Sequence, residues 1–290
     1  MSGVGIFRFD DVDRDLDFRP ADPTAATSLS ASDVASFNER GFISPLPFLD
    51  GPEVDQLRDY VDWLVDEVVS ADDQRNSYSI NQYHRVCGRV HDLVTHPTLV
   101  GYATDLLGDE VVCWSTHLFC KLPGDGMEVP FHQDANYWPF DPASSVSVWI
   151  AIDDVDEGNA AMQFVPGSHL GGGLHHVEVP LDGSVVLNRT IEDRSLLLDP
   201  FVNELRAGQV SLHSDLLLHG STANTSQRRR AGYAVRYLSA SARSHDPDWT
   251  KAAVHVGAGD PGGYWPNTSR PAGEEPHRMA GFRGGFDGTV

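Results

Sequence analysis

The chain has 290 residues and a formal net charge of −21, with 42 acidic side chains against 21 basic ones. So acidic a surface repels nucleic acid and anionic membranes and argues against both as partners, and no apolar run approaches the roughly 18 residues of a membrane span. Hydrophobic residues make up 40% of the chain, enough for the core of one large domain. Three cysteines, Cys87, Cys113 and Cys120, form no Cys-x-x-Cys pair. This predicts a reduced, cytoplasmic protein without a disulfide framework or zinc ribbon, and Met1 to Asp17 lacks the basic and apolar blocks of a signal peptide. The charge is lopsided: residues 1–75 hold 17 acidic and 6 basic side chains. That excess would steer a cationic small molecule, although solubility accounts for it equally well.

Residues 1–28 have no periodicity and read as an acidic arm. Ser30 to Arg40 has the caps of a short helix, closed by Gly41. Phe42 to Leu49 is an apolar stretch broken by Pro45 and Pro47. Val54, Leu57, Val61, Leu64, Val65 and Val68 then fall on one helical face, and residues 70–80 read as a loop. A further helix opens at Pro97 and stops at Gly108. Beyond residue 110 the period changes from 3.6 to 2. Strands are expected over Val111–Cys120, Ser145–Ile152, Met162–Val165, Gln209–His213, Leu216–His219 and Tyr233–Leu238. Short strands between Gly- and Pro-bearing turns predict a mainly β sandwich or barrel with the early helices packed on one side. After Ser239 no clear pattern follows, so 241–290 reads as a decorated tail. No linker divides the chain, which predicts a single domain over 1–290.

Chemistry concentrates between Val129 and Trp138. His132 and Asp134 stand two positions apart, and in an extended strand such side chains leave from the same face. An imidazole and a carboxylate so placed supply two-thirds of a 2-His-1-carboxylate metal site. Such a pair is also common as a purely structural arrangement. For the missing imidazole, His219 stands out: it ends the run Leu216-Leu217-Leu218, precedes Gly220-Ser221, and lies eleven residues before Arg230. A hairpin return of that length would bring Arg230 into the same cavity, where its guanidinium fork suits a carboxylate, with Ser221 beside it. His213 reads as a strand residue, His169 as a turn residue, and His175 and His176 as solvated or lid residues.

These segments, in this order, resemble the phytanoyl-CoA dioxygenase family of Fe(II)/2-oxoglutarate oxygenases. They are Cys120 to Gly126, His132-Gln133-Asp134 with Tyr137 to Phe140, Val165 to His169, and Ala207-Gly208 through His219-Gly220-Ser221 to Arg230. Similarity covers residues 37–240. The resemblance implies a double-stranded β-helix of the jelly-roll or cupin type. It implies Fe(II) held by His132, Asp134 and His219, with 2-oxoglutarate and O₂ as co-substrates and an Fe(IV)-oxo oxidant. Arg230 would clamp the distal carboxylate of 2-oxoglutarate, beside Ser221, Trp149 and His117, with Gln82 (or its neighbour Asn81) as a further contact. Asn136, Tyr137 and Trp138 are expected on the substrate side. Related halogenases lack the carboxylate ligand, so retention of Asp134 points to hydroxylation or ring closure. The substrate is expected to be a small secondary metabolite such as an antibiotic precursor, rather than an acyl-CoA, and cationic if the surface charge reflects it. A cupin-type isomerase or epimerase would use the three ligands but leave Arg230 and Ser221 idle, whereas a binding protein on a degenerate scaffold would have lost ligands that are all present here.

Overall fold

The computed structural model describes residues 12–71, 73 and 75–280. Four helices and fourteen strands are formed among them. Helix α1 (Ala31–Arg40) starts with a reciprocal capping box between Ser30 and Asp33 and stops at Gly41, whose φ of 84° a side chain would strain. Strand β1 (Phe42–Pro47) follows, then α2 (Gly51–Val69), α3 (Gly88–Val94) and α4 (Pro97–Leu107). The turn of helix over Gly88–Val94 has too few residues to show a period in the sequence.

The strands form two principal antiparallel sheets. The larger has the order β1–β10–β5–β12–β2–β14, with β2 (Glu110–Lys121), β5 (Ser145–Ala151), β10 (Gln209–Ser214), β12 (Arg230–Ser239) and β14 (Val254–Gly257). The smaller has the order β3–β11–β6–β9, with β3 (Val129–His132), β6 (Gln163–Phe164), β9 (Phe201–Val202) and β11 (His219–Ser221). Two ribbons complete the set: β4 (Phe140–Asp141) with β13 (Arg243–Ser244), and β7 (His176–Glu178) with β8 (Arg189–Ile191). Two expectations change here. Leu216 to Leu218 form a turn, and the strand begins only at His219, because Leu217 N–H bonds back to Ser214 O at 3.0 Å. The segment after Ser239 is not without pattern: β14 pairs with β2 at the edge of the larger sheet, and Trp265 is buried with Trp114, Trp138 and Phe140. Its Gly and Pro content hid a strand whose partner lies about 140 residues upstream.

Strand alternation divides the larger sheet into two chemical faces. On β5, Val146, Val148 and Ile150 face α1–α4, while Ser147, Trp149 and Ala151 face the other way. On β12, Tyr233, Val235 and Tyr237 join the helix-side core, whereas Arg230, Ala234 and Arg236 line the opposite side. The helix-side residues are almost wholly buried, each contributing about 1.5–3 kcal/mol of apolar burial. The face left over meets the smaller sheet, so a polar cavity is enclosed between two rigid layers.

Residues 12–28 carry no helix or strand, yet they are docked: Arg14 donates to the carbonyls of Ala135 and Trp138, and Ala143 N–H bonds to Asp15 O. Among the described residues no helix is long and apolar enough to cross a membrane.

Burial also sets a pH dependence. His84 is bonded to Thr116 Oγ1 (3.0 Å) and the Ala252 carbonyl (2.7 Å), and burial pulls its pKa down to about 4. Between that value and the ordinary one near 6.5 the unfolded chain binds a proton that the folded chain refuses. The stability from neutral His84 is therefore complete above about pH 6.5 and lost as pH falls toward 4. Urea unfolding at pH 7.5 and 4.5 should show an acid-side loss that is smaller in His84→Gln by on the order of 2–3 kcal/mol. Equal losses in both proteins would show that His84 does not titrate this way.

Candidate active site

The cavity between the sheets brings together residues singled out in the sequence from five separate strands. His219 on β11 lies directly opposite His132 on β3, with ring centroids 4.3 Å apart. Strand β3 ends at His132, Gln133 continues extended, and Asp134 opens a 3-10 turn, so His132 and Asp134 do project to the same side. Gln133 points away and is tied down: it donates to the carbonyls of Gly172 (2.9 Å) and Leu216 (2.6 Å) and accepts from Leu174 N–H (2.8 Å). Its anchors hold the backbone between the two candidate ligands.

His132, Asp134 and His219 each offer one ligand atom, all within 4.8 Å of one another and all buried. The tautomers suit a metal. His132 Nδ1 donates to Pro130 O (2.8 Å) and His219 Nδ1 to Leu217 O (2.9 Å), which leaves each Nε2 with a lone pair directed inward. Burial, reinforced by the neighbouring His132, holds His219 well below the ordinary histidine range, so it stays neutral. Burial pushes the Asp134 carboxyl up, but contacts with His132 and His213 and the charge of Arg236 hold it well below the carboxylate range. Two imidazoles that turn Nε2 inward and one carboxylate, converging in one buried cluster, are the donor set a divalent cation completes.

A family model for phytanoyl-CoA dioxygenase matches residues 37–232. The chain belongs to the phytanoyl-CoA dioxygenase family. Like the family, it uses Fe(II) and 2-oxoglutarate. Peroxisomal phytanoyl-CoA dioxygenase of Bos taurus is 28% identical over 161 residues, covering 54% of this chain and 48% of that protein. The chain thus spans about half the length of the first phytanoyl-CoA dioxygenases it matches. L-proline trans-4-hydroxylase of Streptomyces griseoviridis is 29% identical over 223 residues, 67% of this chain and 81% of that one. The solved structure of the non-heme monooxygenase ThoJ, without ligand, superposes with a TM-score of 0.70 at 23% identity, over 86% of this chain and 94% of that one. That likeness shows the shared fold.

The pocket beyond His132, Asp134 and His219 is lined by a buried guanidinium and neutral hydrogen-bond donors. Arg230 lies in the larger sheet and His219 in the smaller, so the expected hairpin is absent; the two meet across the cavity instead. Arg230 is buried, bonds through Nε to Ala160 O (3.0 Å) and lies 5.3 Å from the Trp149 ring. Burial lowers its pKa to about 10, so it stays charged at neutral pH. Ser221 Oγ and Trp149 Nε1 line the same cavity, buried and without a hydrogen-bond partner. A carboxylate fits these donors. His117 also lines it, with Nε2 donating to Tyr78 O (2.8 Å).

Three sequence expectations do not hold in the cavity. Gln82 is not among its lining residues; with φ at 58° it turns into a local 3-10 turn and accepts from Arg85, while Asn81 accepts from Ser115. Trp138 packs edge-on against Trp114 in a separate apolar cluster. Asn136 accepts from Arg189 (2.9 Å), which leaves Tyr137 as the one of its trio at the cavity wall. His176 is buried rather than solvated, accepting from Gln133 N–H at 3.0 Å, whereas His175 is exposed. His169 is a turn residue, bonded to Asn38 O and packed on Phe18.

Two cavity residues escaped the sequence reading. His213 does occupy a strand position, but its Nε2 lies 3.8 Å from Asp134 Oδ2. Arg236 stands six residues past Arg230 on β12 and faces the same cavity. Both were visible in principle: period two puts Ser211 and His213 opposite Val210 and Leu212, and Arg236 on the side of Arg230.

Proposed function

We propose that this chain is a hydroxylase-type Fe(II)/2-oxoglutarate-dependent oxygenase acting on a small secondary metabolite, working as one cytoplasmic domain on a double-stranded β-helix. The observation that carries the reading is the pairing of two inward-facing Nε2 lone pairs and a carboxylate with a buried guanidinium across one cavity. His132, Asp134 and His219 hold the metal; Arg230, with Ser221, Trp149 and His117, receives 2-oxoglutarate. When bound, the iron and its co-substrates supply the oxidising chemistry that C–H hydroxylation needs. The chain's own residues orient and enclose. Arg230 and Ser221 fix the co-substrate's far end, Trp149 and Ala234 wall it, and Tyr137, packed 5.6 Å from the His132 ring, limits water at the metal side. The retained Asp134 supports hydroxylation or ring closure over halogenation. The L-proline trans-4-hydroxylase relative supports a small-molecule substrate, and three buried free cysteines support a reducing location. The isomerase reading leaves the Arg230 pocket unexplained, and a binding protein on a degenerate scaffold would not keep the whole ligand set.

Anaerobic titration tests this: a weak visible charge-transfer band should appear only when Fe(II) and 2-oxoglutarate are both present. Arg230→Leu should weaken 2-oxoglutarate about 100-fold with metal affinity unchanged. A band that forms equally well in that variant would count against the assignment.

A further inference from the structure

Arg236 is a buried cation whose charge helps to keep Asp134 ionised but whose hydrogen-bond donors the site leaves unused. It is 3% exposed, and its Nε and Nη1 have no hydrogen-bond partner. Three rings surround it, with centroids 5.2 Å (Trp138), 5.6 Å (Phe119) and 5.8 Å (Trp114) from the guanidinium carbon. Such rings interact with the face of a guanidinium; its N–H donors lie in the plane, at the edge, and need acceptors. A buried charge with unmet donors costs stability unless something binds it.

The cavity offers Arg236 no carboxylate to spare. Asp134 is the one carboxylate among the described lining residues, and it is a metal ligand in the reading above. With metal and co-substrate bound, the two charges of the cation and the one of Arg230 are matched by Asp134 and the two carboxylates of 2-oxoglutarate. Arg236 is left over as one positive charge. It stands far from Arg230: six residues along a strand separate their Cα atoms by about 20 Å. A five-carbon diacid whose far carboxylate is held by Arg230 does not also place that carboxylate at Arg236. Ser147, its cross-strand neighbour, bonds to Asp134 (3.4 Å), so Arg236 borders the metal from the side opposite the co-substrate.

We propose that Arg236 is a substrate-anchoring residue and that the primary substrate carries a carboxylate, which its guanidinium receives through the Nε and Nη1 edge. This rests on the oxygenase reading and specifies its substrate class. It replaces the cationic substrate suggested by the surface charge, for which the lining holds no free acidic group.

The test uses the full chain loaded anaerobically with Ni(II) and 2-oxoglutarate, and three sets of probes matched in size: short monocarboxylic acids, their amides and the corresponding amines. Calorimetry and Tm should show binding by acids and none by amides or amines. Arg236→Leu should weaken the best acid at least about 10-fold, and Arg236→Lys should recover part of that loss. Both variants should keep the wild-type affinity for 2-oxoglutarate within about twofold. Removing an unmatched buried charge should also leave the ligand-free Tm of Arg236→Leu equal or higher, which a purely structural arginine would not allow. The proposal is overturned if no acid binds, if amides or amines bind as well, or if acid binding survives Arg236→Leu. It also fails if Arg236→Leu weakens 2-oxoglutarate as far as Arg230→Leu does, which would assign Arg236 to the co-substrate. If Arg236→Leu does not fold, Arg236→Lys alone decides, since shortening the fork must still weaken the acid selectively. Should the wild-type chain take up no 2-oxoglutarate, the oxygenase reading fails by itself, and the acid series on the ligand-free chain then decides Arg236 separately.

Discussion

Replacing Asp134 by alanine is expected to abolish metal-dependent turnover of 2-oxoglutarate. Its carboxylate is the one anionic donor among the three converging side chains, the other two being imidazoles. Without it a divalent cation would sit between two imidazoles with nothing to offset its charge. Metal affinity should fall by about three orders of magnitude, roughly 4 kcal/mol. A tightly bound metal at 1,000 times its Kd stabilises the folded chain by about 4 kcal/mol, so a metal-induced rise in Tm should be present in the wild type and missing in Asp134→Ala. Calorimetric Tm with and without Fe(II), together with succinate release, reads both effects. Turnover at the wild-type rate would refute the ligand assignment.

Gly232→Ala should damage the fold and the co-substrate pocket together. Gly232 lies on β12 between Arg230 and Ala234, on the cavity face. A Cβ there would stand 1.7 Å from Cζ2 and 2.1 Å from Cε2 of Trp149, which lies on the adjacent strand and is 2% exposed. The indole has no room to retreat without leaving Arg230, over which it packs at 5.3 Å. Overpacking of this kind costs about 1–3 kcal/mol, which for a chain of this size lowers Tm by roughly 2–5 °C. Because the displaced ring walls the pocket, affinity for 2-oxoglutarate should drop about 10-fold or more while metal binding persists. Adding Trp149→Leu should restore Tm but not co-substrate affinity, because relief of the clash is separable from the lost wall. A variant with wild-type Tm and wild-type affinity would show that β12 and β5 shift apart at no cost.

How much of this was readable beforehand differs by element. The helices at Ala31–Arg40, Gly51–Val69 and Pro97–Leu107 announced themselves through caps and apolar stripes, because those signals are local. So did β2, β5, β10 and β12 of the larger sheet, whose alternation is a property of each strand alone, whereas β1 was masked by Pro45 and Pro47. The segment at Val254–Gly257 did not, since it forms a strand only by pairing with β2.

The site divides along the same line. The sequence by itself determined which side chains could do the chemistry: His132-x-Asp134 on a stiff extended backbone, His219 before Gly-Ser, and Arg230 further on. Only the tertiary structure decided what surrounds them. It removed Gln82 and Trp138 from the cavity, because a positive φ and a separate aromatic cluster direct them elsewhere. It added His213 and Arg236, because burial and the loss of hydrogen-bonding partners arise where two sheets face each other, and that meeting is set by contacts between residues far apart in the chain. Residue types and their spacing are inherited from the chain; desolvation is a property of the space it encloses.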